Sequence, residues 1–205
     1  MKKQFVTLFA IASVCCTALA TPQSFDFKDP KSVNNAVFKL DAPLEAITGS
    51  ANEISGTVMF DQANPSATTG KIIVATSSLH VPNSMMKEHL HSAMWMDVAN
   101  NAEITFELKA LKNAKTAGDK TTADATGTLT IKGVAKEVTV PVTLTYLKDK
   151  LGARLNKPDL KGDLLVVRAN FAIKRTDFGI NPKAPEEKVS DTIDLTLSIA
   201  GAAKK

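Results

Sequence analysis

The chain has 205 residues, 44% of them apolar, and its 25 basic against 21 acidic residues give a formal net charge of +4. Lys2 and Lys3 belong to an N-terminal segment treated separately below; without them the net charge is +2, too small to argue for nucleic acid or an anionic membrane as partner. Both cysteines, Cys15 and Cys16, lie in the same segment, so the remaining 185 residues hold neither a disulfide nor a thiol nucleophile and rely on the core of one ordinary domain.

Residues 1–20 combine a basic start (Lys2, Lys3), an apolar run from Phe5 to Thr17 and the small-x-small triplet Ala18-Leu19-Ala20. That order predicts a secretory signal peptide cleaved after Ala20. The run is short and no charged stop follows it, which argues against a membrane anchor. The domain expected after cleavage is 21–205.

Two short opening strands are predicted at Phe25/Phe27 and Ala36/Phe38/Leu40, separated by a turn at Asp29-Pro30. A third runs from Asn52 to Phe60, with Ile54, Gly56, Val58 and Phe60 on one face, and a fourth from Ile72 to Leu79, where the contiguous Ile72, Ile73 and Val74 leave the inward face undecided. Between Pro82 and Val98 the two-residue period is lost. Asn83 or Ser84 can cap a helix there, and Met86, Leu90 and Met94 follow at steps of four along one face. Strand alternation resumes with Ile104, Phe106 and Leu108, and the polar stretch from Lys112 to Ala125 reads as a loop.

The clearest periodic signal is the hairpin from Gly127 to Leu147. Leu129 and Ile131 in one arm, and Val138, Val140, Val142, Leu144 and Tyr146 in the other, alternate with threonines and other polar residues around a turn at Gly133. Pro141 cannot donate a ladder hydrogen bond and belongs at an edge, a bulge or a break in pairing. After a polar loop at 148–162, Leu165, Val167, Ala169, Phe171 and Ile173 mark a long strand, and Val189 to Ile199 the last. Eight or nine one-sided strands with one helix suit an antiparallel sandwich or barrel. Long strands and a last strand able to seal against the first favour the barrel.

Its inward residues, Phe38, Leu129, Ile131, Val138, Val140, Leu144, Phe171 and Ile173, could wall a tube or simply fill a core; pattern alone favours the core. The methionines around Trp95 (Met85, Met86, Met94, Met96) suit an adaptable contact surface or core filling equally. His89 and His91 diverge on a helix, and no cysteine or suitably spaced carboxylate joins them or His80, so a metal site is not expected. Arg175 continues the inward phase of Phe171 and Ile173. Either Asp177 pairs with it, or it meets an anionic headgroup. No nucleophile elbow, zinc-binding His-Glu-x-x-His run, phosphate loop or dinucleotide fingerprint is present.

Three stretches, KEHLHSAMWMDVANNAEITFEL (87–108), GTLTIKGVAKEVTVPVTL (127–144) and FAIKRTDFGI (171–180), resemble the YceI-like family of periplasmic polyisoprenoid-binding proteins. The resemblance implies an all-β, antiparallel, eight-stranded lipocalin-like barrel with one helix packed near one end. It implies an elongated pocket for an isoprenoid lipid, such as a polyprenyl phosphate or quinone, held in the periplasm without cofactor or chemistry. With the family pattern added, the candidate ligand-binding set becomes Phe38, Leu90, Met94, Trp95, Phe106, Leu129, Ile131, Val138, Val140, Leu144, Phe171, Ile173, Arg175 and Phe178. Asn101-Ala102 and Trp95-Met96 depart from the Tyr-Pro and paired phenylalanines of many members, at positions that bear on pocket width. A stress-related periplasmic interaction protein with a filled barrel is the alternative, and a small hydrolase using His89 or His91 a third. No nucleic acid and no stable membrane span are expected; the oligomeric state stays open, a homodimer among the options.

Overall fold

One strand decides how the sheet closes. In a computed structural model describing residues 22–205, the last strand, β10 (Thr192–Lys204), lies against β9 (Gly162–Lys174) along its whole length. Its other edge is shared. β2 (Asn35–Asp41) pairs with it from Asp194 to Ser198, and β1 (Gln23–Asp26) meets it at Ala202. From β1 the ring continues through β4 (Ile54–Phe60), β5 (Thr69–Ala75), β6 (Glu103–Ala117), β7 (Lys120–Ile131) and β8 (Val134–Leu147) to β9, all antiparallel. Eight strands thus close into a barrel. β3 (Ala46–Ala51) completes a hairpin with β2.

The seam on β10 needs a substitute for backbone between its two partners, and Asn34 provides it. Its Nδ2 donates to Ala200 O (3.1 Å) and Phe27 O (2.9 Å), while its Oδ1 accepts from Ala200 N (2.9 Å). The amide therefore serves the ladder position that neither β1 nor β2 reaches. Asp29 holds the preceding turn by accepting from the N–H groups of Lys31, Val33 and Asn34 and from Arg154 Nη2 at 2.9 Å. Burial opposes its ionisation, but these donors and the Arg154 charge outweigh it and keep its carboxyl below the ordinary value.

Several expectations need correction. Residues 112–125 are not a loop: β6 and β7 continue as a long hairpin to a turn at Gly118-Asp119. The inward residues there are small, Thr121, Ala123 and Ala125, so the alternation carries little hydropathy contrast. β3 went unseen because Ile47 is its one large apolar residue. The helix α1 spans Ser84–His91, capped by Asn83, whose side chain accepts from Met86 N at 3.0 Å; it stops well short of Val98. Val189 lies in the turn before β10, its N–H bonded to Pro185 O, and a five-residue helix, α2 (Leu151–Leu155), interrupts the 148–162 stretch.

Pro141 falls where expected. Pairing of β8 with β9 covers Val142–Leu147 only, and Pro141 is the first residue beyond it, so its missing N–H costs no hydrogen bond. Residues 1–20 lie outside the described residues, and among those described no helix is long and apolar enough to cross a membrane.

Replacing Asn34 by alanine leaves both Ala200 groups and Phe27 O buried without partners. The expected loss, about 2–4 kcal/mol, is read from urea unfolding against the wild type.

Candidate functional site

The inside of the barrel is solid at one end and hollow at the other. Phe25, Phe27, Phe60 and Leu165 fill the α2 end, with Phe25 edge-on to the Tyr146 ring at 6.2 Å between centroids. Above this floor is a cavity of about 420 Å³ whose wall takes residues from β2 round to β10 and is closed over by α1 and the turns after it. Its volume is that of a small-molecule site. Exposed wall residues Glu45, Met86 and His89 mark where it reaches solvent, beside α1.

The space exists because of residue size. Ala36, Ala51, Ala125 and Ala169 are wall positions where a larger side chain would fill the bore. Two glycines make room for aromatic rings: a Cβ on Gly49 would stand 2.1 Å from Phe38 Cζ, and one on Gly127 2.6 Å from Phe106 Cζ. A register shift between Leu108 and Ala110 changes the phase of β6, so that Leu108 and Leu111 both belong to the wall. In β5 the ambiguous run resolves with Ile72 and Val74 on the wall.

Of the sequence-derived candidates, Phe38, Leu90, Trp95, Phe106, Leu129, Ile131, Val140, Leu144, Phe171, Ile173 and Arg175 are brought together around this one cavity. Met94, Val138 and Phe178 are not on its wall. Because α1 ends at His91, Met94 leaves the face shared by Met86 and Leu90; it is 63% exposed and lines a separate outer cleft. Val138 is half-buried on the part of β8 that has left β9, and Phe178 is buried within the core cluster around the cavity. Leu40, Ile193 and Leu195 were missed although they continue inward phases already recognised. Met96 belongs to the methionine group around Trp95 noted above, whereas Ile47, Val81 and Ile180 carried no such signal.

Arg175 is 1% exposed, and Asp177 is not its partner. Asp177 is exposed; the guanidinium instead donates through Nη1 to Ile180 O (2.8 Å) and Asn181 O, and through Nε to Ser190 O (3.4 Å). Its Nη2 is buried without a hydrogen-bond partner. The charge is answered at longer range by Asp191. Burial opposes ionisation of that carboxyl, but the Thr176 N–H (2.9 Å) and hydroxyl (3.0 Å), with Arg175 and Lys174, hold it below its ordinary value.

The α1 segment is tied down by polar contacts. His91 Nε2–H donates to Leu79 O at 2.8 Å, and Asn181 N donates to Met94 O at 3.1 Å. Beyond the floor, buried Asp163 accepts from Asp149 N (2.8 Å), Lys205 Nζ (2.8 Å), Gln23 Nε2 (3.1 Å) and Tyr146 Oη (2.9 Å). Burial would raise its pKa, but the four donors reverse the shift and bring it to about 2, while Lys205 is held above its ordinary value, chiefly by the Asp163 hydrogen bond.

The family model for the YceI-like domain matches residues 28–201, nearly the whole barrel. The chain belongs to the YceI-like family. A UPF0312 protein of Pseudomonas paraeruginosa is 30% identical over 98% of each chain. Among solved structures, Burkholderia cenocepacia BcnA superposes with a TM-score of 0.67 at 21% identity, covering 82% of this chain and 95% of its own. A polyisoprenoid binding domain from Saccharophagus degradans, implicated in plant cell wall breakdown, gives 0.65 at 10% identity, covering 89% and 99%. At these identities the two structures speak for the fold alone.

Two outcomes follow. Arg175→Met strips donors from buried carbonyls and should lower stability by about 2–4 kcal/mol in denaturant unfolding. Because the folded pKa of Asp163 lies below its ordinary 3.8, its stabilisation is present above that value and lost as pH falls through about 2. Asp163→Asn should therefore flatten the acid limb of stability against pH, by roughly 2 kcal/mol, measured by thermal unfolding from pH 5 downward.

Proposed function

We propose that this chain is a carrier or store for a long isoprenoid lipid, enclosing the tail within the barrel by non-covalent contact in the periplasm. The observation that carries the reading is the apolar cavity of about 420 Å³ above the aromatic floor. An isoprenoid tail offers apolar surface and few hydrogen-bonding groups, so its affinity has to come from burial, worth about 25 cal/mol per Å² before ordering costs. A wall of aliphatic and aromatic side chains from every side of the barrel suits that requirement. The binding named for the Saccharophagus degradans domain supports the same ligand class, as does membership of the YceI-like family. The signal peptide expected at residues 1–20 supports export to that compartment. Enclosure requires no bond to form or break, so the reading assigns no catalytic residue.

Organic extraction of the purified protein followed by mass spectrometry should yield a polyprenyl species at up to one molecule per chain. Ala169→Phe, which inserts a ring at the wall, should reduce that load at least several-fold while leaving the β-sheet circular dichroism unchanged. An empty wild-type extract together with failure to take up an added prenol would defeat the proposal.

A further inference from the structure

Four of the six methionines lie between Met85 and Met96, and from residue 21 onward the chain holds no cysteine, so the sulfur open to oxidation there is thioether. Their settings differ. Met85 and Met94 are exposed but off the cavity wall, and Met96 is on the wall but buried. Among the described residues, Met86 is the one methionine both on the wall and open to solvent, at 38% exposure. The Asn83 side chain accepts from the Met86 N–H at 3.0 Å and holds the first turn of α1, from which the Met86 side chain reaches the cavity. Met59 on β4 supplies a comparison within the same fold, with 37% exposure and no place on the wall.

An oxidant in solution and a guest in the bore therefore meet the same sulfur at Met86. With hydrogen peroxide the step is a two-electron one: a sulfur lone pair attacks one peroxide oxygen, an S–O bond forms as the O–O bond breaks, and the departing oxygen leaves as water with both protons. The product is a polar sulfoxide in place of a flexible apolar side chain. A tail lying over it strips water from the new oxygen and offers no donor in return. Reduction by two thiols restores the thioether, the oxygen leaving as water and the thiols joining as a disulfide. We infer that Met86 is a reversible oxidation site whose conversion to the sulfoxide loosens the hold of the barrel on its guest. The inference rests on the enclosure reading and adds its regulation: peroxide favours the emptied protein.

The test measures farnesol affinity by isothermal titration on delipidated protein before and after hydrogen peroxide, with the oxidised positions assigned by peptide mass spectrometry. Met86 sulfoxide should bring a loss of affinity of about tenfold, and methionine sulfoxide reductases with dithiothreitol should restore it. Met59→Leu should respond to peroxide as the wild type does. Met86→Leu should show one affinity before and after peroxide, whatever its starting value. Met86→Gln, which places a polar group there without oxidant, should bind farnesol more weakly than Met86→Leu while keeping the same β-sheet circular dichroism. Undiminished affinity in protein whose Met86 is oxidised overturns the inference and leaves enclosure standing, as does a Met86→Leu variant that still loses affinity in peroxide. A Met86 that stays reduced while Met59 is oxidised overturns it as well, because the wall sulfur is then closed to oxidant. If the reduced protein binds no farnesol, the enclosure reading fails and this site with it.

Discussion

Everything inside this molecule depends on the ring of strands being closed along β10. An open sheet of this length would expose one apolar face and two unpaired edges; closure removes both liabilities at once. The weak point is the seam where β1 leaves off and β2 begins, and there closure falls to a side chain. The Asn34 amide offers Ala200 a donor and an acceptor in the positions a neighbouring strand would supply. Asp29 and Arg154 in turn hold the Asn34 turn in place. A polar residue buried to 1% exposure is thus justified by three backbone groups that would otherwise lack partners.

With the ring closed, the question becomes whether its interior fills. At the α2 end aromatic rings occupy the space and the Asp163 cluster seals the outside. At the α1 end, alanines on several strands and glycines opposite Phe38 and Phe106 let the rings lie back against the wall. A core that selected only for stability would replace such alanines with larger side chains, since empty space forfeits dispersion contacts. The hollow is therefore a constraint maintained against packing, and it concentrates the functional interest of the fold in one half of the barrel.

The sequence showed this architecture best where hydrophobic contrast is high. The β7–β8 turn region, β9 and the part of β10 from Ile193 to Ile199 could be read from bulky aliphatics alternating with threonine and charge, whereas the small residues that continue β10 to Lys204 gave no such contrast. The same period is present from Lys120 to Ala125 but is written in alanine and threonine, and in the facing arm a register shift between Lys112 and Lys115 interrupts it. The wall residues share their phase with any core residue, so pattern could nominate Phe38, Leu129 or Phe171 without distinguishing lining from filling; that distinction depends on alanine and glycine positions across the barrel. Arg175 illustrates a different limit. Its burial followed from strand phase, yet its partners are carbonyls of a loop that folds back over it, and nothing in the order Arg175, Thr176, Asp177 encodes that return.

The aromatic floor has a consequence for traffic. A bore blocked at its base by Phe25, Phe27 and Phe60 is closed to passage at that end, so a guest of the kind proposed above would enter and depart on the α1 side. The closed floor rules out flow through the bore, so loading and release would share the α1 end.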